Sequence, residues 1–284
     1  HDKRWFCLTQ NVTTLRIQVW DYNYFTKESL VGAAMLNLDL VLRQREKDGV
    51  FMWSGTLNLQ NSAGGHAGTV EIETRYFPVR DLEDLAPQLQ TGDVVLFSGA
   101  TMNGKFIKSS TKSEWSHVGL IWRPPGSGPE DLRIIEASTN HAELTDCDTG
   151  KVLWGVEKLG VRDKIFCGFY DVVAIRRLHW PGGDRARAQL HKTIDDFYRS
   201  QMNKPYEEYK VDMIKAKFDW NKNFGDESLF CSEFAAFAFV EAGVLSFEKM
   251  PSNVMQYEFS SESKKAPIQN GGHLHNEVYI NNPQ

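Results

Sequence analysis

The pattern of apolar residues changes near residue 80, and this change limits the folds open to the chain. Before it, short segments alternate apolar and polar side chains. In LRIQVWD, Leu15, Ile17 and Val19 face one way and Arg16 and Gln18 the other. Several such strands, with a Gly-rich turn in NSAGGHAG, predict an all-β sandwich. After it, compact apolar strands mix with amphipathic helices, which predicts an α+β domain.

The join between the two regions, PVRDLEDLAPQLQ, is short and polar and contains two prolines. We therefore predict a β-sandwich portion over residues 1–79, a linker over 80–90 and a second domain over 91–284. A chain of 284 residues is long enough for both domains. Because the first residue is His rather than Met, we expect the chain to be a piece of a longer protein.

Composition and charge exclude several classes of function. A net charge of -5 without a basic stripe argues against nucleic-acid binding. No apolar run reaches the roughly 18 residues of a membrane-spanning helix, and HDKRWFCL lacks the core of a secretory signal. The four cysteines, Cys7, Cys147, Cys167 and Cys231, form no C-x-x-C pair, which favours free thiols over a zinc site or a disulfide scaffold. We therefore expect a cytoplasmic protein, either free or in peripheral contact with a membrane.

The segment SLFCSEFAAFAFVEAGVL is typical of a helix that begins just before a cysteine. With Ser228 as the N-cap, Cys231 lies in the first helical turn. There the helix dipole favours a thiolate, and the N–H groups can hold a developing oxyanion. These are the needs of a cysteine nucleophile. From this segment alone, a buried structural cysteine is the alternative.

Two further segments offer a base and an acid that orients it. In WSHVGLIW, His117 lies near the start of an apolar strand, and the small residues Ser116 and Gly119 leave room around its ring. In LRIIEAST, Glu136 interrupts the next apolar strand, where a buried carboxylate needs a partner. His117 on the adjacent strand is the expected partner, with Glu136 orienting the ring and stabilising the imidazolium. A strand-end carboxylate facing water is the alternative for Glu136.

The order of the motifs TGDVVLF, SHVGLI, IIEAS, KPYEEY and FCSEFAAFAF resembles the permuted papain-like amidases of the YaeF/YiiX type. That family is related to NlpC/P60 peptidases and to the lecithin:retinol acyltransferase group. The resemblance covers roughly residues 89–259 and implies a permuted papain-like domain with an antiparallel sheet and packed helices. It also implies that Cys231 is the nucleophile, His117 the base and Glu136 the third polar member.

The same resemblance assigns roles around the nucleophile. Tyr206, in KPYEEY, matches the family's tyrosine before the Cys helix and is assigned to substrate or oxyanion binding, together with Ser232 beside the nucleophile. Asp93, in GDVVLF, matches a further motif position, where a strand-starting turn is its expected role. The Lys- and Asp-rich insert 212–227 departs from the compact pattern and is either a flap over the cleft or a solvated loop.

The first region resembles the later half of a C2 domain. WDYNYFTKESLVG matches the third calcium loop, and Trp53 and the closing strand GTVEIETRYFPV follow it. Calcium takes six to eight oxygen ligands, mostly carboxylates. The matched positions hold Asp21, Asn23 and Ser29, with Glu28 beside the third. Because one of the three is a carboxylate, we expect calcium binding to be weak or absent and the sandwich to serve packing, protein contact or membrane contact.

Together the resemblances imply a cysteine hydrolase of amide or ester bonds that needs no cofactor for catalysis. Relatives either cleave peptide amides or transfer fatty acyl groups, so peptide and lipid substrates, and hydrolase and acyltransferase activities, are all open. The C2-like portion favours a lipid or membrane setting by analogy of fold. The alternatives are a catalytically degraded binding module and a C2-type adaptor, and the intact Cys231 and His117 argue against both.

Overall fold

The computed structural model describes residues 13–21, 29–42, 51–76, 78–99, 113–140, 142–202, 204–206, 229–246, 250–261, 263 and 268–281. The chain divides into two units, His1–Pro78 and Val79–Gln284. Its architecture mixes helices with largely antiparallel sheets. The predicted insert 212–227 lies outside the described residues. The prediction of Ser228 as the N-cap is wrong, because the helix that begins at Cys231 has Phe230 as its N-cap.

The first unit is built on a four-stranded antiparallel sheet in the order β1-β2-β3-β4. Its elements are β1 Thr14–Asp21, β2 Ser29–Asn37, α1 Leu38–Leu42, β3 Phe51–Gln60 and β4 His66–Tyr76. In β1 the apolar residues of LRIQV are half-buried and the polar ones between them are exposed, as the alternation predicts. The described part of this unit contains this one sheet, so the C2-like sandwich stays a prediction.

The second unit is organised around a seven-stranded sheet in the order β5-β13-β10-β6-β7-β8-β9. Its strands are β5 Val79–Arg80, β6 Val94–Gly99, β7 His117–Trp122, β8 Arg133–Ser138, β9 Gly155–Gly160, β10 Tyr170–Arg176 and β13 Val278–Ile280. Neighbouring strands are antiparallel except β5 and β13, which are parallel. A separate ribbon pairs β11 Leu178–His179 with β12 His273–Leu274.

Helices pack on both faces of this sheet. They are α2 Leu82–Leu85, α3 Val161–Ile165, α4 Gly183–Gln201 and α5 Cys231–Glu241, with 3-10 turns at Ala86–Gln88, Pro129–Asp131, Pro251–Asn253 and Gln256–Phe259. Val94 and Leu96 of β6 pack with α4 and α5, whereas Val95 and Phe97 pack with α2 and α3. Burial of both faces explains why β6 is a continuous apolar run rather than an alternating one. In the part of the chain that the structure describes, no helix is both long and apolar enough to cross a membrane.

The segment 80–90, predicted to be a linker, is part of the second unit. It holds the end of β5, helix α2 and the 3-10 turn that follows, and Leu82, Leu85 and Leu89 are buried. The spacing of these leucines gives the segment one apolar face, which packs on the sheet although the intervening residues are polar.

Candidate active site

Cys231 is the first residue of α5, and it is fully buried. The residue before it, Phe230, has an extended backbone and holds the N-cap position. The first N–H groups of a helix have no acceptor within the helix, and the positive end of the helix dipole lies at the same place. The fold therefore surrounds the Cys231 thiol with partial positive charge.

Polar groups from several parts of the chain surround the Cys231 sulfur. The Gln256 side-chain amide donates from 3.2 Å. The His117 ring and the Val118 backbone N–H of β7 act on the pKa of Cys231, and Cys231 in turn acts on the pKa of the Tyr206 hydroxyl in the segment before α5. These donors come from widely separated parts of the chain, and each is better satisfied by a thiolate than by a neutral thiol.

His117 and Glu136 lie side by side on β7 and β8. The His117 Nε2 atom is 3.0 Å from Glu136 Oε2, and both side chains are buried. With Nε2 directed at the carboxylate, Nδ1 is the nitrogen left for Cys231. Gly119 makes the approach possible, because a Cβ atom there would lie 3.1 Å from Glu136 Oε2 and 2.6 Å from Ile134 Cδ1.

Lys164 of α3 is the second cation at Glu136. Its Nζ atom is 2.5 Å from Glu136 Oε1, and it too is buried. Burial alone would raise the pKa of Glu136, but Lys164 and then His117 lower this pKa to about 2. Despite burial, the attraction of Glu136 raises the pKa of Lys164 above its ordinary value. Glu136 is therefore an anion held between two cationic groups.

Burial opposes charge on both Cys231 and His117, but their neighbours reverse this effect. Glu136, followed by Tyr170 and Cys231, raises the pKa of His117 well above its usual range. His117, followed by the Gln256 hydrogen bond, lowers the pKa of Cys231. Both shifts favour a thiolate beside an imidazolium, which is the form of such a pair that attacks carbonyl carbon.

Glu157 of β9 is paired directly across from Glu136 and is also fully buried. Its carboxyl group accepts hydrogen bonds from the Ser138 hydroxyl and, at 2.8 Å, from Asn140 Nδ2. Burial and then the charge of Glu136 raise the pKa of Glu157 to about 8. At neutral pH Glu157 is therefore a neutral carboxylic acid beside an ionised one.

The two residues assigned to substrate or oxyanion binding have different surroundings. Tyr206 forms a short bridge with Leu229 and hydrogen-bonds to Cys231; burial and then Cys231 raise the pKa of its hydroxyl. The Ser232 hydroxyl donates to the Val254 carbonyl oxygen at 2.7 Å. The Ser232 side chain thus connects α5 to the segment that leads to Gln256. Its backbone N–H, in the first turn of α5, is the group of Ser232 that can serve an oxyanion.

The predicted calcium ligands are described only in part. Asp21 ends β1 and is the cross-strand partner of Ser29, the first residue of β2. Asn23 and Glu28 lie outside the described residues. In the described part of the first unit, no cluster of three His, Cys, Asp or Glu side chains is present.

Sequence reasoning missed three residues of this site: Lys164, Glu157 and Gln256. Glu157 had the same signal as Glu136, a charge that interrupts an apolar strand in GVEKLG. Lys164 had none, because VRDKIF reads as a short surface turn. Gln256 lies in a 3-10 turn whose position beside the nucleophile depends on tertiary structure.

Comparisons with known proteins give no family assignment. No family model matches the chain, and no curated protein sequence matches it. Among solved structures, that of the metalloprotein YiiX from Escherichia coli O157:H7 is 18% identical and aligns over 69% of this chain and 90% of its own, with a TM-score of 0.38. A TM-score of this size does not establish a shared fold.

Proposed function

We propose that this protein is a cysteine-dependent hydrolase of amide or ester bonds that forms an acyl-enzyme on Cys231. The observation that supports it is the buried line of contacts from Cys231 through His117 to Glu136 and Lys164. Burying these charges opposes folding unless each is paired. An arrangement that ionises a thiol at a helix start is typical of a nucleophile, whereas a structural cysteine requires no ionised neighbours.

The reaction follows from the charge states of the pair. The Cys231 thiolate forms a bond to the substrate carbonyl carbon, and the carbonyl oxygen becomes an oxyanion. The His117 imidazolium then gives its proton to the leaving nitrogen or oxygen, and the carbon–nitrogen or carbon–oxygen bond breaks. Neutral His117 next takes a proton from water, whose oxygen attacks the thioester and releases the acid and the thiolate. Glu136 stays ionised throughout and stabilises the imidazolium.

Donors for the oxyanion lie close to the sulfur. A carbonyl carbon bonded to Cys231 has its oxygen near the N–H groups at the start of α5 and near the Gln256 amide. Tyr206 offers a further donor, since its hydroxyl already contacts the sulfur. In this proposal Gln256 stabilises the thiolate in the resting enzyme and the oxyanion during attack.

The substrate we propose carries an apolar acyl group. A small apolar cluster, separate from the main core, consists of buried Phe230 and Met255 with Tyr206 and Tyr257 packed against them. Phe230 precedes the nucleophile in sequence, and Met255 precedes Gln256. In this proposal the acyl group, a fatty acyl chain or a bulky apolar side chain rather than a polar peptide, binds beside this cluster, and membrane contact through the first unit belongs to the same proposal.

A thiol-reactive acyl probe tests the nucleophile, with the labelled residue mapped by mass spectrometry. We expect labelling of Cys231 in the folded protein, loss of labelling in Cys231→Ala, and full labelling in the control Cys167→Ala, whose thiol is partly exposed. Because the pKa of Cys231 is lowered and that of Cys147 is raised, labelling of Cys231 should persist at a pH where Cys147 is unreactive. Labelling confined to Cys147 or Cys167 would overturn the proposal.

A further inference from the structure

Three histidines meet on one face of the β11–β12 ribbon. His179 and His273 are direct cross-strand partners, and the His275 N–H continues the ladder by donating to the Arg177 carbonyl oxygen at 2.9 Å. Alternate residues of a strand point to the same side, which places His273 and His275 together. The ring of His273 has its centroid 4.7 Å from that of His179 and 4.9 Å from that of His275.

The ligand atoms of these histidines are close enough to share one ion. A ring nitrogen of each lies within 4.8 Å of those of the other two. In a tetrahedral zinc site the Zn–N bonds of about 2.0–2.1 Å place ligand nitrogens roughly 3.4 Å apart. Because all three side chains are exposed, small rotations of their rings close this difference. No other group of three potential ligands is present among the described residues.

The backbone beneath the three rings is held in place by two arginines. Arg176 donates through Nε to the His275 carbonyl oxygen at 2.7 Å and through Nη2 to that of Leu274 at 3.1 Å. Arg187 donates to the Leu178 carbonyl oxygen on the opposite strand. The imidazoles therefore project from two strands whose spacing is fixed, which a preorganised metal site requires.

A polar cavity of about 180 Å³ adjoins the cluster, and His179 and His275 form part of its wall. Arg177 and Arg187 also line it. The Asp93 carboxylate in the wall is occupied by the backbone N–H groups of Gln90 and Leu178. The cavity can therefore hold water or a small anion beside a cation on the histidines, and such an anion would offset the repulsion between that cation and the arginines.

We propose that His179, His273 and His275 bind one divalent transition-metal ion of the zinc class, with water or a small anion at the fourth coordination position. Neutral imidazole suits zinc and its neighbours in the first transition series. Three histidines with one open position are typical of zinc sites that bind or activate a small molecule. The site is built on the two-stranded ribbon and does not use the residues of the proposed hydrolase.

Titration of the metal-free full chain with Zn²⁺ by calorimetry, and with Co²⁺ by visible absorption, tests this site. We expect one equivalent to bind. His179→Ala, His273→Ala and His275→Ala should each weaken binding by at least the roughly 100-fold that loss of an outer-shell partner can cost. The matched control is His66→Ala, an exposed histidine on β4 of the first unit, which should bind as the wild type does.

Three results would overturn the proposal. Absence of one-equivalent binding by the wild type is the first. Unchanged affinity in the three histidine variants is the second. Loss of binding in Cys231→Ala with retention in His273→Ala is the third, because it would place the ion at the proposed nucleophile.

Discussion

Glu136 and Glu157 face each other on neighbouring strands and are equally buried, yet Glu136 is ionised at neutral pH and Glu157 is not. The pKa of Glu136 is about 2 and that of Glu157 about 8. Glu136 contacts Lys164 and His117, whereas Glu157 contacts the neutral groups of Ser138 and Asn140. Burial does not decide the charge of a carboxyl group in this core; a cation within hydrogen-bonding distance does.

The difference between the two carboxyl groups has a consequence for the site. A second anion at Glu157 would compete with Glu136 for Lys164, since the charges of both act on that lysine. With Glu157 protonated, Glu136 is the anion that acts on His117. Substitutions that remove a cation or a carboxyl group can therefore separate the action of Glu136 on His117 from the contribution of neutral Glu157 to stability.

The largest expected effect follows Lys164→Met. Breaking a buried ion pair by removing one partner costs about 3–5 kcal/mol of unfolding free energy. Loss of the cation should also raise the pKa of Glu136. A buried Glu136 that takes up a proton no longer stabilises the His117 imidazolium, so the labelling of Cys231 should move to higher pH. Urea denaturation and the pH dependence of alkylation measure the two effects.

Lys158→Met is the matched control for this change. Lys158 is also buried, 3.0 Å from Asp148 Oδ2 and 3.9 Å from the centre of the Trp122 ring, on the opposite side of the sheet from Lys164. It should destabilise the fold without moving the pH dependence of Cys231 labelling. A similar shift of the labelling pH in both variants would mean that the site responds to destabilisation of the fold rather than to loss of the charge of Lys164.

A smaller effect is expected for Glu136→Gln, which keeps the size of the side chain and removes its charge. The His117 ring should stay in place while the imidazolium is stabilised less, so turnover of a reporter ester should fall roughly ten- to a thousand-fold. The loss should appear in kcat, with KM little changed. Glu157→Gln is the control and should keep most of the activity. Unchanged turnover in Glu136→Gln would leave a Cys231–His117 dyad.

The smallest effect at neutral pH is expected for Glu157→Gln. The difference in unfolding free energy between the wild type and this variant should change with pH. The folded pKa of about 8 lies above the ordinary 4.5, so the contribution of Glu157 to stability is complete below pH 4.5 and is lost as pH rises through 8. The stability of the wild type relative to this variant should fall over that interval by at most about 1.4 kcal/mol per pH unit. Denaturation at pH 5, 6.5 and 8 measures it.

For Glu136 the change of stability with pH has the opposite sign. Its folded pKa of about 2 lies below 4.5, so its contribution is present above pH 4.5 and is lost as pH falls towards 2. Relative to Glu136→Gln, the wild type should therefore lose stability in acid. Parallel pH profiles for the wild type and both variants would show that the two carboxyl groups do not differ in charge.

The sequence predicts the parts of this site that depend on local pattern. A cysteine at a helix start, a histidine at a strand start and a carboxylate in the next strand are visible in SLFCSEF, SHVGLI and LRIIEAS, and the structure has the last two 3.0 Å apart. Their catalytic roles stay predictions. The alternation of apolar residues likewise predicts β1, because one buried face imposes a period of two.

What the sequence does not predict depends on contacts between distant segments. Lys164 lies in a five-residue helix with charged neighbours, and it is buried because Glu136 on another element attracts it. The segment 80–90 has the polar composition of a linker, yet three spaced leucines dock it on the sheet. In both cases a contact with a distant segment determines burial, and the local sequence does not indicate that contact.

The position of β13 in the sheet has a consequence for how the chain can fold. This strand comes from the last residues described, yet it lies between β5, the first strand of the unit, and β10, the neighbour of the central strand β6. Until Val278–Ile280 has left the ribosome, one side of β10 has no neighbour and offers its N–H and C=O groups to any other extended chain. A nascent or truncated chain that already carries the helix of Cys231 would therefore expose backbone groups of Ala174 and Ile175, and we expect it to aggregate more readily than the chain that includes β13.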